Sequence, residues 1–112
     1  MKETILLIED EKLMRVTIED ALRTAGYEVM SFETGAEALS SLKSSPADVV
    51  VTDVRLPDID GLNILEEITR MNDAQVIVMT AFGTIKDAVN AMRLGAFDYI
   101  TKPFSLDEFL LL

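Results

Sequence analysis

Short apolar runs recur along the chain, and each one ends at polar or charged residues. The run Ile5–Ile8 stops at acidic residues, and the run Val49–Val51 lies within the segment Asp48–Asp53 and leads to a carboxylate. Neither run alternates with polar residues, which is the pattern of a strand buried on both faces of a parallel sheet. Three further strands are predicted, first an alternating edge strand and then two apolar runs: Glu28–Phe32, Val76–Met79 and Phe97–Ile100.

Between these runs the apolar residues recur at spacings typical of amphipathic helices. The first helix is predicted over Lys12–Ala25 with Gly26 as its terminator, and Ser105 is a suitable N-cap for the last helix. Leu13, Leu65 and the methionines are predicted to lie in the core. Three helices are predicted between the first and the last: from Thr34 or Gly35 to Ser44–Pro46, along Leu62, Leu65, Ile68 and Met71, and from Gly83–Thr84 along Ile85, Ala88, Val89 and Met92 to Gly95.

Strands and helices alternate in five successive pairs, which predicts an α/β fold with a five-stranded parallel sheet and helices on both faces. Residues 1–112 form one domain in this interpretation, without a linker or a low-complexity segment. The chain ends on Leu110–Leu112 without a helix cap. We therefore expect the last helix to be cut short and the chain to be one domain of a longer protein.

The composition narrows the possible functions. The net charge is −10, from 20 acidic and 10 basic residues, so we expect no basic patch that would bind nucleic acid or anionic membranes. The chain contains neither cysteine nor histidine, which excludes thiolate or imidazole metal sites and Ser–His catalysis. No apolar run is long enough for a signal or membrane segment, so a cytoplasmic protein is expected.

Polar groups follow four of the five predicted strands. Because open parallel sheets bind ligands beyond the carboxyl ends of their strands, we expect these groups to share one site. Clustered carboxylates repel one another unless a cation joins them, and Mg²⁺ prefers oxygen ligands. A hydroxyl and an ammonium group beside them would serve an anion, so the set indicates phosphoryl transfer to a carboxylate. The residues concerned are Glu9, Asp10, Asp53, Thr80 and Lys102.

Each of these residues also has a simpler interpretation. Strand ends are loops, loops are polar, and a single acidic residue there is more often solvated than functional. Asp58 and Asp60 are interpreted as solvated loop acids of this kind. The functional hypothesis therefore depends on the combination of suitable groups at one edge of the sheet.

The chain resembles the receiver domain of two-component response regulators over essentially its full length. The segments that carry the resemblance are IEDE after the first strand, TDVRLPDIDG around Asp53, MTAFG at the fourth strand and DYITKPF at the fifth. Each segment is a weak signal alone, but their order and their intervals are together specific. The resemblance implies a flavodoxin-like, doubly wound sheet with the strand order 2-1-3-4-5.

The resemblance also implies roles for individual residues. Asp53 is the phosphoacceptor, and Mg²⁺ is held by Asp10, Asp53 and the main-chain carbonyl of Arg55. Many receivers have two aspartates after the first strand, whereas the first acid here is Glu9. Glu9 has one more methylene than an aspartate, which shifts the position that its carboxylate reaches. Glu9 is therefore expected either to contact Mg²⁺ only through a water molecule or to affect the affinity for Mg²⁺.

Three further positions match the family's switch. Lys102 pairs with the phosphoryl oxygens, Thr80 is the hydroxyl that moves to bond the phosphoryl group, and Tyr99 is the aromatic side chain that follows Thr80. Tyr99 also has a simpler interpretation as a half-buried ring at a strand edge. The domain is not an enzyme in this interpretation, because it catalyses only its own phosphorylation and dephosphorylation.

The resemblance implies partners as well. The phosphoryl donor is a sensor histidine kinase, and phosphorylation controls homodimerisation and an output domain on the C-terminal side. The run TAFGTIKDAVNAMRLGAFDYITKPF most resembles receivers of the NtrC type, which precede an ATPase domain that activates σ54 transcription. An ATPase or DNA-binding output is therefore expected, with no direct nucleic-acid contact by this domain.

Two other functions are alternatives to this interpretation. The segment Asp58–Gly61 reads DIDG and mimics the DxDG motif of haloacid dehalogenase-type phosphatases, although Leu56 and Pro57 precede it instead of a hydrophobic strand. A receiver fold can also serve as a binding module that is never phosphorylated. Such modules usually lack the acceptor aspartate or the lysine, and this chain has both.

Overall fold

Strands and helices alternate along the chain as predicted. A computed structural model describes residues 3–53, 61–71, 75–80, 85–96 and 98–101. The helix predicted after Ser105 lies outside these residues. The described elements are β1 (Thr4–Ile8), α1 (Lys12–Thr24), β2 (Glu28–Phe32), α2 (Gly35–Ser44), β3 (Val49–Asp53), α3 (Gly61–Met71), β4 (Gln75–Thr80), α4 (Ile85–Arg93) and β5 (Asp98–Thr101).

The five strands form one parallel sheet in the order β2-β1-β3-β4-β5, which confirms the predicted doubly wound α/β fold. The central position of β3 and the edge position of β2 are both as expected. The chain moves outward from β1 to β2 and then returns to place β3 on the other side of β1. Strand order therefore reverses between β1 and β3, and the crevice of a doubly wound sheet opens at the carboxyl ends of such a pair.

The sheet separates two hydrophobic cores, because successive residues of a strand point to opposite faces. One core joins Leu6, Val50 and Val78 to helices α2, α3 and α4, through side chains that include Leu42, Ile68 and Ala91. The other core joins Leu7, Val51 and Ile77 to Ile18 and Leu22 of α1. Each central strand is therefore apolar on both faces, which explains why its sequence shows no alternation.

Local sequence signals account for several helix ends. Helices α1 and α4 are each followed by a glycine with a positive φ, 104° at Gly26 and 103° at Gly95, as the sequence predicted. That conformation favours glycine because it has no Cβ. At the start of α2, the Thr34 hydroxyl accepts a hydrogen bond from the backbone N–H of Glu37 at 3.3 Å, so Thr34 is the N-cap.

Two residues predicted to lie in the core are exposed. The buried stripe of α1 consists of Ile18 and Leu22 with the partly buried Met14, at spacings of four residues, and Leu13 lies beside it with 74% of its surface exposed. In α4, Met92 is 50% exposed and Val89 is 43% exposed, whereas Ala91 is buried. Helix periodicity identified the four described helices correctly, but it assigned too many apolar residues to their buried faces.

Within the described ranges, no helix is both long enough and apolar enough to cross a bilayer.

Candidate functional site

Three carboxylates meet at the carboxyl edge of the sheet, as predicted. Glu9 and Asp10 follow directly on β1, and Asp53 is the last residue of the neighbouring strand β3. The two strands are in register, with Ile8 paired to Thr52, so the residues that come next lie side by side. One carboxylate oxygen from each of Glu9, Asp10 and Asp53 lies within 4.8 Å of the others.

Two of these carboxylates are buried and the third faces solvent. Glu9 is fully buried and Asp53 is 7% exposed, whereas Asp10 is exposed. Burying a charged group without compensation is costly, and like charges at short range add to that cost. The burial follows from the fold, because both residues continue strands that are covered on two sides. The local structure therefore concentrates negative charge where a cation would be stabilised.

The donor set suits a hard divalent cation. Carboxylate oxygens are the ligands that Mg²⁺ and Ca²⁺ prefer, and Mg²⁺ keeps several waters when it binds to proteins. The exposure of Asp10 opens one side of the cluster to solvent, so water can complete the coordination of an ion there. The cluster of Glu9, Asp10 and Asp53 can hold a metal ion.

Hydrogen bonds hold the backbone on which the clustered carboxylates lie. The N–H of Glu9 donates to the carbonyl of Phe32 at 3.0 Å, which extends the β1–β2 ladder by one residue beyond β1. The hydroxyl of Thr52, itself fully buried, donates to the carbonyl of Asp53 at 3.1 Å. These bonds place the acidic side chains on ordered backbone at the ends of both strands.

Arg15 also belongs to this region, and the sequence interpretation did not include it. Its Nη1 donates to the main-chain carbonyl of Glu9 at 3.0 Å, and its Nη2 lies 3.3 Å from Oε1 of Glu33. A signal was present in the sequence, since the first turn of α1 contains no acidic residue although the helix dipole favours one there.

The structure describes the other predicted site residues only in part. Thr80 ends β4, one residue beyond Met79, which is the register partner of Asp53, so its backbone lies at the same edge of the sheet. Tyr99 lies in β5 and pairs with Val78. The side chains of Thr80 and Tyr99 lie outside the described residues, as do all atoms of Arg55 and Lys102. The DIDG segment also lies outside them, apart from Gly61 at the start of α3.

Comparisons with known proteins agree with this geometry. The family model described as "Response regulator receiver domain" matches residues 5–112. The chain is 41% identical over 105 residues to the "DNA-binding transcriptional regulator NtrC" of Escherichia coli (strain K12), and 40% identical over 107 residues to a "Probable transcriptional regulator ycf27" of Porphyridium aerugineum. These matches cover 93% and 96% of this chain.

Among solved structures, the beryllofluoride-activated NtrC4 receiver domain dimer is similar with a TM-score of 0.91 and 35% identity. That match covers 96% of this chain and 90% of the other. The predicted similarity to NtrC-type receivers is therefore confirmed, and the chain is about as similar to the ycf27 regulator.

The relatives are longer than the region they share with this chain. The chain spans 22% of the length of the NtrC protein and 45% of the length of the ycf27 protein. The shared region is the one that the family model describes, and it contains all three clustered carboxylates. From this match and from the fold and site that accompany it, we conclude that the chain belongs to the response regulator receiver domain family.

Proposed function

We propose that this domain accepts a phosphoryl group on Asp53 with the help of a bound Mg²⁺ ion. The observation that carries the proposal is the meeting of Glu9, Asp10 and Asp53 within 4.8 Å at the carboxyl edge of the central strands. A carboxylate can form an aspartyl phosphate, and positioning with charge neutralisation provides most of the catalysis in phosphoryl transfer. The arrangement supplies both an acceptor carboxylate and ligands for a cation.

The proposed reaction joins a carboxylate oxygen of Asp53 to the phosphorus of the donor. With phosphohistidine as donor, the P–N bond breaks and its electron pair stays on the imidazole nitrogen. We assign Asp53 as the acceptor among the three acids, because it ends the central strand β3 at the carboxyl edge of the sheet and lies beside the exposed Asp10.

In this proposal Mg²⁺ is held by Asp10, Asp53 and the main-chain carbonyl of Arg55. Glu9 acts on the ion through a water molecule or by adding negative charge nearby. The ion supplies charge neutralisation for the entering phosphoryl oxygens. Asp10 is the ligand that solvent and the phosphodonor reach first, since it is the exposed member of the cluster.

Three residues carry the response to phosphorylation in our proposal. The ammonium group of Lys102 pairs with the phosphoryl oxygens, the hydroxyl of Thr80 bonds to them, and the ring of Tyr99 follows Thr80. The position of Thr80 at the end of β4, level with the end of β3, supports this assignment. The phosphoryl group shifts an existing equilibrium by making contacts that differ between the two states.

The proposed partners follow from the family. A sensor histidine kinase donates the phosphoryl group in the cytoplasm, and the domain catalyses only its own phosphorylation and dephosphorylation. Phosphorylation promotes a homodimer, which is supported by the structure of the beryllofluoride-activated NtrC4 receiver domain dimer. The output is a C-terminal transcription-regulating domain, since both full-length relatives are described as transcriptional regulators.

Intact-mass spectrometry after incubation with acetyl phosphate tests the proposal. We expect one phosphoryl adduct in the presence of Mg²⁺, none in EDTA, and none for Asp53→Asn. Asp20→Asn is a matched control, because it changes an exposed aspartate of α1 and should leave the adduct unchanged. Absence of an adduct from the wild type under every condition would contradict the proposal and favour a binding module that is not phosphorylated.

A further inference from the structure

Arg15 joins three parts of the molecule near the carboxylate cluster. Its side chain is only 13% exposed, although it projects from α1, whose polar face is solvated. The guanidinium contacts the carbonyl of Glu9 after β1 and the carboxylate of Glu33 after β2, at 3.0 and 3.3 Å. The planar guanidinium presents several donors in a rigid fork, so one Arg15 side chain can serve both acceptors at once.

The bond to Glu9 acts on the backbone that carries the acidic side chains. Both polar main-chain groups of Glu9 are held, its N–H by Phe32 at 3.0 Å and its carbonyl by Arg15 at 3.0 Å. The peptide unit is planar, so the direction of the Glu9 carbonyl also determines where the Cα of Asp10 lies. Arg15 therefore restricts the position from which the Asp10 carboxylate approaches Asp53.

The contact with Glu33 supports the orientation of the guanidinium. Glu33 is 67% exposed, so this ion pair is weak as a source of stability. Its contribution is to select the rotamer of Arg15 in which Nη1 reaches the Glu9 carbonyl. Removing the Glu33 carboxylate should therefore have a smaller effect than removing Arg15 itself.

We propose that Arg15 is a positioning residue of the cation site, which holds the Glu9–Asp10 peptide so that the three carboxylates converge on one ion. The proposal rests on the proposed function, since it assumes that the cluster binds a divalent cation. Residues that orient metal ligands commonly change metal affinity by roughly 10–100-fold when they are mutated. We place Arg15 in that class.

The charge of Arg15 would have the opposite effect on binding. A guanidinium beside a cation site repels the ion, so removal of the charge alone should strengthen binding. Loss of positioning should weaken it. The sign of the change on mutation therefore distinguishes the two roles.

The test measures Mn²⁺ binding by electron paramagnetic resonance, with Mg²⁺ competition, on the wild type and on variants at 25 °C or below. We expect Arg15→Ala to weaken Mn²⁺ binding by about tenfold. Arg15→Lys should also weaken it, by less, because an ammonium can still donate to the Glu9 carbonyl but cannot span both acceptors. Glu33→Gln should give the smallest loss of the three.

Arg23 provides a matched control on the same helix. It also bridges a carboxylate and a main-chain carbonyl, Glu19 at 2.7 Å and Val29 at 3.2 Å, but it lies in the last turn of α1. Arg23→Ala should therefore lower the melting temperature without changing Mn²⁺ affinity. In EDTA, NMR relaxation should show increased motion of the Asp10 amide in Arg15→Ala and not in Arg23→Ala.

The possible results separate the two proposals. Unchanged or stronger Mn²⁺ binding by both Arg15 variants would overturn the positioning role while the proposed function stands. Wild-type protein that binds no Mn²⁺ or Mg²⁺ would overturn both. If Arg15→Ala fails to fold by circular dichroism, Arg15→Lys and Glu33→Gln decide the question, and wild-type affinity in both would contradict the proposal.

Discussion

The two ends of β3 each carry an aspartate in a different environment. Asp48, just before the strand, is exposed, and its Oδ2 accepts the backbone N–H of Thr4 at 2.9 Å. The backbone of Asp48 continues the ladder on both sides, toward Thr4 and toward Gln75. Asp53, at the other end, is 7% exposed and shares its surroundings with Glu9 and Asp10.

The difference shows that an aspartate can stabilise the sheet at one end of a strand and form part of a candidate cation site at the other end. At the amino end, a neighbouring strand offers an N–H to the carboxylate, so the charge is satisfied locally and is hydrated. At the carboxyl end, the neighbouring strand is followed by further acids, so proximity increases the electrostatic cost. The fold therefore gathers three carboxylates at the end where a doubly wound sheet binds ligands.

The largest expected change among the following variants comes from Asp10→Asn. Loss of a direct ligand should weaken Mg²⁺ affinity by at least about tenfold, or about 1.4 kcal/mol. Calorimetric titration with Mg²⁺ and the Mg²⁺ dependence of acetyl phosphate labelling both report this change. Wild-type Mg²⁺ affinity in Asp10→Asn would show that Asp10 is not a ligand. The carboxyl end of β3 would then not differ from the amino end through a cation site that includes Asp10.

For Glu9→Gln in the absence of a cation, we expect a smaller effect, which is an increase in the free energy of unfolding. Two like charges about 4 Å apart repel by up to ~4 kcal/mol at an effective dielectric constant of about 20. Part of this repulsion is relieved when Glu9 becomes neutral, so the free energy of unfolding in EDTA should rise by about 1 kcal/mol. Urea unfolding measures this change.

In the presence of Mg²⁺, the wild type should become more stable than Glu9→Gln. An ion that binds only the folded protein stabilises it in proportion to its affinity, and the variant has one negative charge fewer to attract it. Saturating Mg²⁺ should therefore stabilise the wild type more than the variant. A variant that is less stable than the wild type in EDTA would show that other interactions of the Glu9 carboxylate outweigh the repulsion within the cluster.

The smallest effect is expected at the amino end. Asp48→Asn keeps an oxygen that can accept the Thr4 N–H, and exposed substitutions of this kind usually change stability by less than about 0.5 kcal/mol. Mg²⁺ affinity and phosphorylation should match the wild type. A large loss of Mg²⁺ affinity or of phosphorylation in Asp48→Asn would mean that the two ends of the sheet are coupled. That result would contradict the separate roles given to Asp48 and Asp53.

Much of this architecture follows from short-range signals in the sequence. The apolar run Val49–Val51 predicted a strand covered on both faces, and Val50 and Val51 are buried there. Gly26 and Gly95 predicted helix ends because the required backbone conformation is local. The meeting of Glu9, Asp10 and Asp53 was predictable because parallel strands end at a common edge.

Other features depend on contacts that local sequence does not specify. Leu13 and Met92 are apolar residues at helical spacings, yet only the packing of the complete domain determines which stripe of each helix is buried. Arg15 has a long side chain with many rotamers, and its partners Glu9 and Glu33 follow different strands. The contacts of Arg15 with both residues can be predicted only once the sheet order is known to place β1 and β2 side by side.

The measurement that tests the central claim most directly is the location of the acyl phosphate. The protein is treated with acetyl phosphate and Mg²⁺ and then with borohydride, which reduces an aspartyl phosphate to homoserine, and the peptides are sequenced by mass spectrometry. We predict homoserine at Asp53 and unmodified aspartate at Asp10, Asp20 and Asp48. Homoserine at another aspartate, or none in a sample whose intact mass shows the phosphoryl adduct, would contradict the assignment of Asp53 as the acceptor.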